Sequence, residues 1–107
     1  MGFNLGILIS GNGSNMKNII DACKNGILES HVSIVISDNP LARGLSLANK
    51  ENIKSVLIDR NQFTNTENYE NNILKKLNLA EVNLVCLAGF MRILTKNFLN
   101  KWNHKII

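Results

Sequence analysis

The chain has 107 residues, 45% apolar and 19% charged, with 12 lysines and arginines against 8 acidic residues. That is room for one domain with a modest core and too short for two, and it is not a disordered composition. The +4 net charge is scattered rather than clustered, so it suits an anionic small ligand as well as nucleic acid and selects neither.

Leu5-Gly6-Ile7-Leu8-Ile9 is a continuous apolar run, the pattern of a strand covered on both faces. It stops at the polar, glycine-rich Ser10-Gly11-Asn12-Gly13-Ser14-Asn15. Residues 14–25 predict a helix with Met16, Ile19, Ile20 and Cys23 on one face and Gly26 as its stop. Residues 32–37 predict a second strand, with Asp38-Asn39-Pro40 as a turn. Leu41, Leu45 and Ala48 give helix spacing over 41–51, and 54–59 reads as a third strand. Tyr69, Ile73 and Leu77 mark a helix over 66–77; 83–89 is a fourth strand ending in Gly89. A short helix over 95–101 follows, and His104 to Ile107 looks like the beginning of a fifth strand. His31 is expected before the second strand, Asn103 and His104 before the fifth, with both histidines facing solvent.

Strands separated by helices imply right-handed crossovers and an α/β, Rossmann-like, mostly parallel sheet with flanking helices. Such sheets bind ligands beyond the carboxyl ends of their strands. Two segments fall there, Ser10–Asn15 and Gly89–Leu94, and they face each other if strands one and four are neighbours.

In the first loop, Gly11 and Gly13 can take φ > 0 and carry no side chain to block a ligand. The helix that follows offers unpaired N–H groups and the positive end of its dipole, which suits a phosphate. In the plainer reading, Ser14 or Asn15 caps the helix and the glycines make the turn. A dinucleotide fingerprint would need a third glycine where Met16 stands, which weakens that reading although Asp38 sits where a ribose-binding acid would be. No Gly-Lys-Ser/Thr closes the loop, so a P-loop is excluded. A single phosphomonoester fits best. In the second loop, Phe90, Met91, Ile93 and Leu94 surround Arg92. Apolar side chains and backbone groups unused by a sheet suit a flat heteroaromatic ring; alternatively these residues start the core face of the next helix.

Cys23 and Cys86 lie in no Cys-x-x-Cys pair and have no histidine at ligand spacing, so buried free thiols and no metal are expected. No signal peptide, myristoylation pattern or membrane-length apolar run is seen. The expected setting is the cytoplasm, with no membrane and no nucleic-acid partner.

Taken together, Ile9 to Asn15 ("ISGNGSN") and Leu87 to Leu94 ("LAGFMRIL") resemble phosphoribosylglycinamide formyltransferases. "IIDACK", "VISDN", "ARGL" and "FMRILTKNFL" look like the same family, so the similarity covers essentially the whole chain. The resemblance implies the formyltransferase fold and de novo purine biosynthesis, with 10-formyltetrahydrofolate as formyl donor and glycinamide ribonucleotide as acceptor. It implies that Gly13, Ser14 and Asn15 bind the substrate phosphate and that Met91, Arg92, Ile93 and Leu94 line the folate pocket. Where the family often has an arginine near the folate tail, this sequence has Thr66, which implies a weaker grip there. The family's catalytic asparagine and histidine belong to an Asn-x-His-Pro-Ser motif directly after the strand that His104 to Ile107 begins, and a catalytic aspartate comes later. None of the three is expected within residues 1–107. The expectation is a single amino-terminal, nucleotide-binding half of the domain, incomplete at the C-terminus and inactive alone. Its uncovered sheet edge could drive self-association. A non-enzymatic module binding a nucleotide phosphate is the alternative, and a small NAD(P)-binding domain a sparser one.

Overall fold

β1 (Asn4–Ile9) lies at the centre of the sheet, and its five residues from Leu5 to Ile9 are buried. The computed structural model describes residues 2–107. β1 pairs in parallel with β2 (His31–Ser37) on one side and with β4 (Leu84–Leu87) on the other. β3 (Ser55–Leu57) flanks β2, and β5 (Lys105–Ile106) flanks β4, so the order is β3-β2-β1-β4-β5 with every pair parallel. Strands one and four are therefore neighbours, and the direction of winding reverses between them.

Alternation along β1 divides the core. Leu5, Ile7 and Ile9 pack with Met16 and Ile20 of α1 (Ser14–Lys24) and Ala48 of α2 (Arg43–Lys50). Leu8 packs on the opposite face with Tyr69, Ile73 and Leu77 of α3 (Thr66–Leu79) and Phe98 of α4 (Lys96–Lys101). Each fully buried Ile or Leu contributes roughly 1.5–3 kcal/mol relative to exposure. Gly6 also faces α3, where a Cβ would lie 2.7 Å from Leu77 Cδ2.

Several boundaries move, each for a local reason. β2 starts at His31 rather than after it, because the His31 N–H donates to Phe3 O. The third strand is shorter than 54–59: Ile58 N–H takes the last carbonyl of β2, and Asp59 then caps a short 3₁₀ turn, Arg60–Gln62. α3 begins at its expected residue, with the Asn65 side chain accepting from Asn68 N–H, but runs on to Leu79. Gly89, with φ 75°, turns the chain away after β4. Both cysteines are free, Cys86 buried and Cys23 only half-buried. Both histidines are exposed. Among the described residues no helix is long and apolar enough to cross a membrane.

Candidate functional site

The two loops singled out in the sequence meet beyond the carboxyl ends of β1 and β4. They line one cleft of about 250 Å³, with Gly11 to Asn15 on one wall and Ala88, Gly89 and Met91 on the other. Gly13, Ser14 and Asn15 are thus brought beside Met91.

Gly13 itself occupies the N-cap position of α1, in the left-handed conformation (φ 83°, ψ 20°), with no side-chain cap. Neither Ser14 nor Asn15 is the cap. Instead the Asn12 side-chain oxygen accepts the Ser14 N–H at 3.1 Å. Among the described residues the N–H groups of Gly13, Asn15 and Met16 donate to no protein acceptor. They stand at the positive end of the helix dipole, where an anion is stabilised. Met16, with its side chain fully buried under α1, fills the space that a dinucleotide fingerprint gives to its third glycine.

A buried polar cluster joins the two loops. The Ser10 hydroxyl donates to Asp38 Oδ1 at 2.6 Å and accepts the Met91 N–H at 2.9 Å. Arg92 Nε forms an ion pair with Asp38 Oδ2 at 2.9 Å. Asn39 Nδ2 donates to the Ser10 carbonyl at 2.9 Å. Asp38, weighed in the sequence as a ribose-binding acid, therefore has both oxygens turned inward, towards Ser10 and Arg92.

The apolar loop divides into two roles. Met91 and Ile93 are 80% and 92% exposed. Leu94 and Phe90 instead pack against the core beneath α3 and α4. Leu94 is thus a core contact at its side chain, as the plainer reading of this segment expected, while Met91 and Ile93 are not. A second hollow of about 320 Å³ lies beside Met91, Arg92 and Ile93, walled by Arg60, Thr66, Tyr69 and Glu70. There Arg60 Nη2 donates to Thr66 Oγ1 at 3.2 Å. The Arg92 guanidinium stands 5.8 Å over the Tyr69 ring. The Tyr69 hydroxyl is buried without a hydrogen-bond partner, and burial above all, with Asp38 nearby, pushes its phenol well above the usual range.

Sequence reasoning passed over Glu70 and Gly44. Glu70 is buried on α3, and its carboxylate accepts both the N–H of Thr95, at 2.8 Å, and the Thr95 hydroxyl. Nothing in the helix spacing flags it, because it adjoins the core residue Tyr69. Gly44 sits in the first turn of α2, where its N–H has no intrahelical acceptor and donates to Gly11 O at 3.3 Å. A glycine inside a predicted helix was the available signal.

Parallel order β3-β2-β1-β4-β5, helices on both faces and a glycine loop at the reversal point define a Rossmann-like α/β protein. The formyl transferase family model matches residues 3–107, and the chain belongs to that family. It is 35% identical to the phosphoribosylglycinamide formyltransferase of Escherichia coli K12, covering 97% of this chain and 49% of that protein. It is 38% identical to the trifunctional purine biosynthetic protein adenosine-3 of Drosophila melanogaster, over 94% of this chain and 8% of that one. The structure superposes on glycinamide ribonucleotide transformylase 1 of Symbiobacterium toebii with a TM-score of 0.93 at 31% identity, covering 98% of this chain and 50% of that one. The fold is that of the glycinamide ribonucleotide transformylases. The chain spans about half the length of the bacterial relatives it matches.

Proposed function

We propose that residues 1–107 form the amino-terminal, ligand-binding half of a phosphoribosylglycinamide formyltransferase. In this reading the protein transfers a formyl group from 10-formyltetrahydrofolate to glycinamide ribonucleotide in purine biosynthesis, in the cytoplasm. The observation that carries it is the single cleft shared by the Gly11–Asn15 loop and Met91. The free N–H groups around Gly13 and Asn15, with the Ser14 and Asn15 side chains, receive the substrate phosphate. Met91, Ile93 and the backbone of Arg92 to Leu94 offer an apolar shelf and backbone polar groups to the pterin.

The cleft's own lining, Gly11 to Asn15 with Ala88, Gly89 and Met91, contains no titratable side chain. These residues can therefore orient both reactants and supply N–H donors, but cannot move a proton. Transfer requires a base for the attacking amine and a donor for the oxyanion, and in this reading both come from outside residues 1–107, which alone are inactive. Apolar Phe3, Leu28, Leu87 and Ile107, each at least 42% exposed, border a hollow on the α1 side of β4; their exposure supports self-association of residues 1–107 wherever the remainder of the fold does not cover them.

Calorimetry tests the reading. Glycinamide ribonucleotide should bind the protein, and Gly13→Val should abolish that binding, since φ 83° resists a β-branched residue and its Cβ would lie 2.8 Å from Gly44 Cα. A tetrahydrofolate analogue should protect residues 89–94 from hydrogen exchange where NAD and NADP do not. Protection by NAD of Gly11 and Asp38 would instead support a nicotinamide cofactor.

A further inference from the structure

The segment from Ala88 to Thr95 belongs to no helix or strand. Its central side chains, Met91 and Ile93, are open to solvent. Such a segment would ordinarily sample many conformations, at a cost of about 1–2 kcal/mol for each residue a ligand must then order. Here it is tied down at its middle. The Met91 N–H is taken by Ser10, 81 residues earlier in the chain, and Arg92 is held by Asp38.

The direction of these bonds is fixed by Asp38. An ionised carboxylate only accepts. One oxygen takes the single proton of the Ser10 hydroxyl, so that hydroxyl has only lone pairs left for Met91 N–H. The other oxygen is ion-paired with Arg92 Nε. The Asp38 side chain is 7% exposed, so its charge-assisted bond from Ser10 forms away from competing water, while Arg92, 41% exposed, pairs with it from the solvent side. Ser10 is also the residue from which the glycine loop springs, and its carbonyl is held by Asn39.

We propose that Asp38 is a positioning residue: its buried carboxylate, through Ser10 and Arg92, locks the Gly89–Leu94 loop onto the base of the Ser10–Asn15 loop, which Asn39 and Gly44 hold independently, so that the Gly89–Leu94 loop is set before its ligand arrives. The proposal rests on the reading that these loops hold folate and phosphate respectively.

Three substitutions separate the arms of the lock. Ser10→Ala removes the acceptor for Met91 N–H. Asp38→Asn keeps an oxygen for Ser10 but turns an N–H donor towards Arg92 Nε, which releases Arg92. Arg92→Gln cuts the same arm from the other side and leaves Asp38 in place, so it serves if Asp38→Asn does not fold. Hydrogen exchange on the ligand-free protein should speed up about tenfold at Met91 in Ser10→Ala. In Asp38→Asn or Arg92→Gln, affinity for a tetrahydrofolate analogue that cannot transfer a formyl group should fall about tenfold. Affinity for glycinamide ribonucleotide should stay within about twofold in both. A residue serving stability alone would lower both affinities together. Exchange at Met91 unchanged in Ser10→Ala, or equal losses for the two ligands, would overturn the lock while leaving the functional reading intact. If the wild-type loop is protected yet neither ligand binds, the functional reading fails instead.

Discussion

Gly13 and Gly44 meet backbone to backbone behind the Gly11–Asn15 loop: a Cβ on Gly13 would lie 2.8 Å from Gly44 Cα, and one on Gly44 would lie 3.3 Å from Gly13 Cα. Helix α2 therefore backs the Gly11–Asn15 loop directly, with no side chain between them.

Gly44→Ala tests that contact. Its Cβ would lie 2.2 Å from the Cδ1 of fully buried Ile9. Overpacking of this kind costs about 1–3 kcal/mol, read as a lower urea midpoint at unchanged slope. Gly11→Ala is the matched control. Its Cβ would meet nothing within 4 Å, so stability should stay within about 0.5 kcal/mol.

Glu70→Ala should destabilise the fold by roughly 1–3 kcal/mol, because both Thr95 donors lose their acceptor in a part-buried setting. Thr95 also caps α4, accepting from Phe98 N–H at 3.3 Å. A double-mutant cycle of Glu70→Ala with Thr95→Val should return a coupling of at least about 0.5 kcal/mol. Strict additivity would mean that the two residues do not act on each other.

Much of this was legible in the residues. The apolar run at Leu5–Ile9 and the β-branched run at Val32–Ser37 announce buried parallel strands, and Gly11, Gly13 and Gly89 mark where the chain must turn. Alternation of helices with strands predicts a parallel sheet, but the pairing of β1 with β4, on which the meeting of the two loops depends, is seen only in the fold. Glu70 and Asp38 were harder to read. A charged residue beside a helix's core stripe looks like any solvated one until its partner, Thr95 or Arg92, is brought in from a distant segment. The split within Met91–Leu94 was equally hidden: Met91 and Ile93 face solvent, Arg92 pairs with Asp38, Leu94 joins the core, and no regular period governs a loop.

Tyr69→Phe should stabilise the protein by about 1 kcal/mol, since a buried hydroxyl without a partner keeps its desolvation cost and returns nothing. The ring contacts with Phe63, at 5.8 Å between centroids, and with Arg92 would persist. Thermal denaturation of the two proteins side by side decides it; a lower midpoint for the variant would show that the hydroxyl is satisfied in solution.

Stability should fall as pH rises past about 9. Burial pushes the Cys86 thiol above its ordinary 9.0, so the unfolded chain releases that proton first. The unfolded state then binds fewer protons than the folded one, and stability drops with pH. Tyr69 adds to the loss above its ordinary 10.0, because its phenol is raised as well. Urea midpoints at pH 7, 9 and 10.5 should fall in that order for the wild type and fall less for Cys86→Ala.

The bond from Met91 to Ser10 also sets an order of events. It spans 81 residues, and the strand beneath it joins Leu5 to Leu84. Closing so long a loop comes late, after local helices and the β1–β2 unit have formed. On the ribosome, the first loop leaves the exit tunnel long before the second has been synthesised. The cleft thus has no existence until residues 88–94 have been made. A nascent chain can acquire its first helices and strands, and be handled by chaperones, before the two walls of the cleft have met.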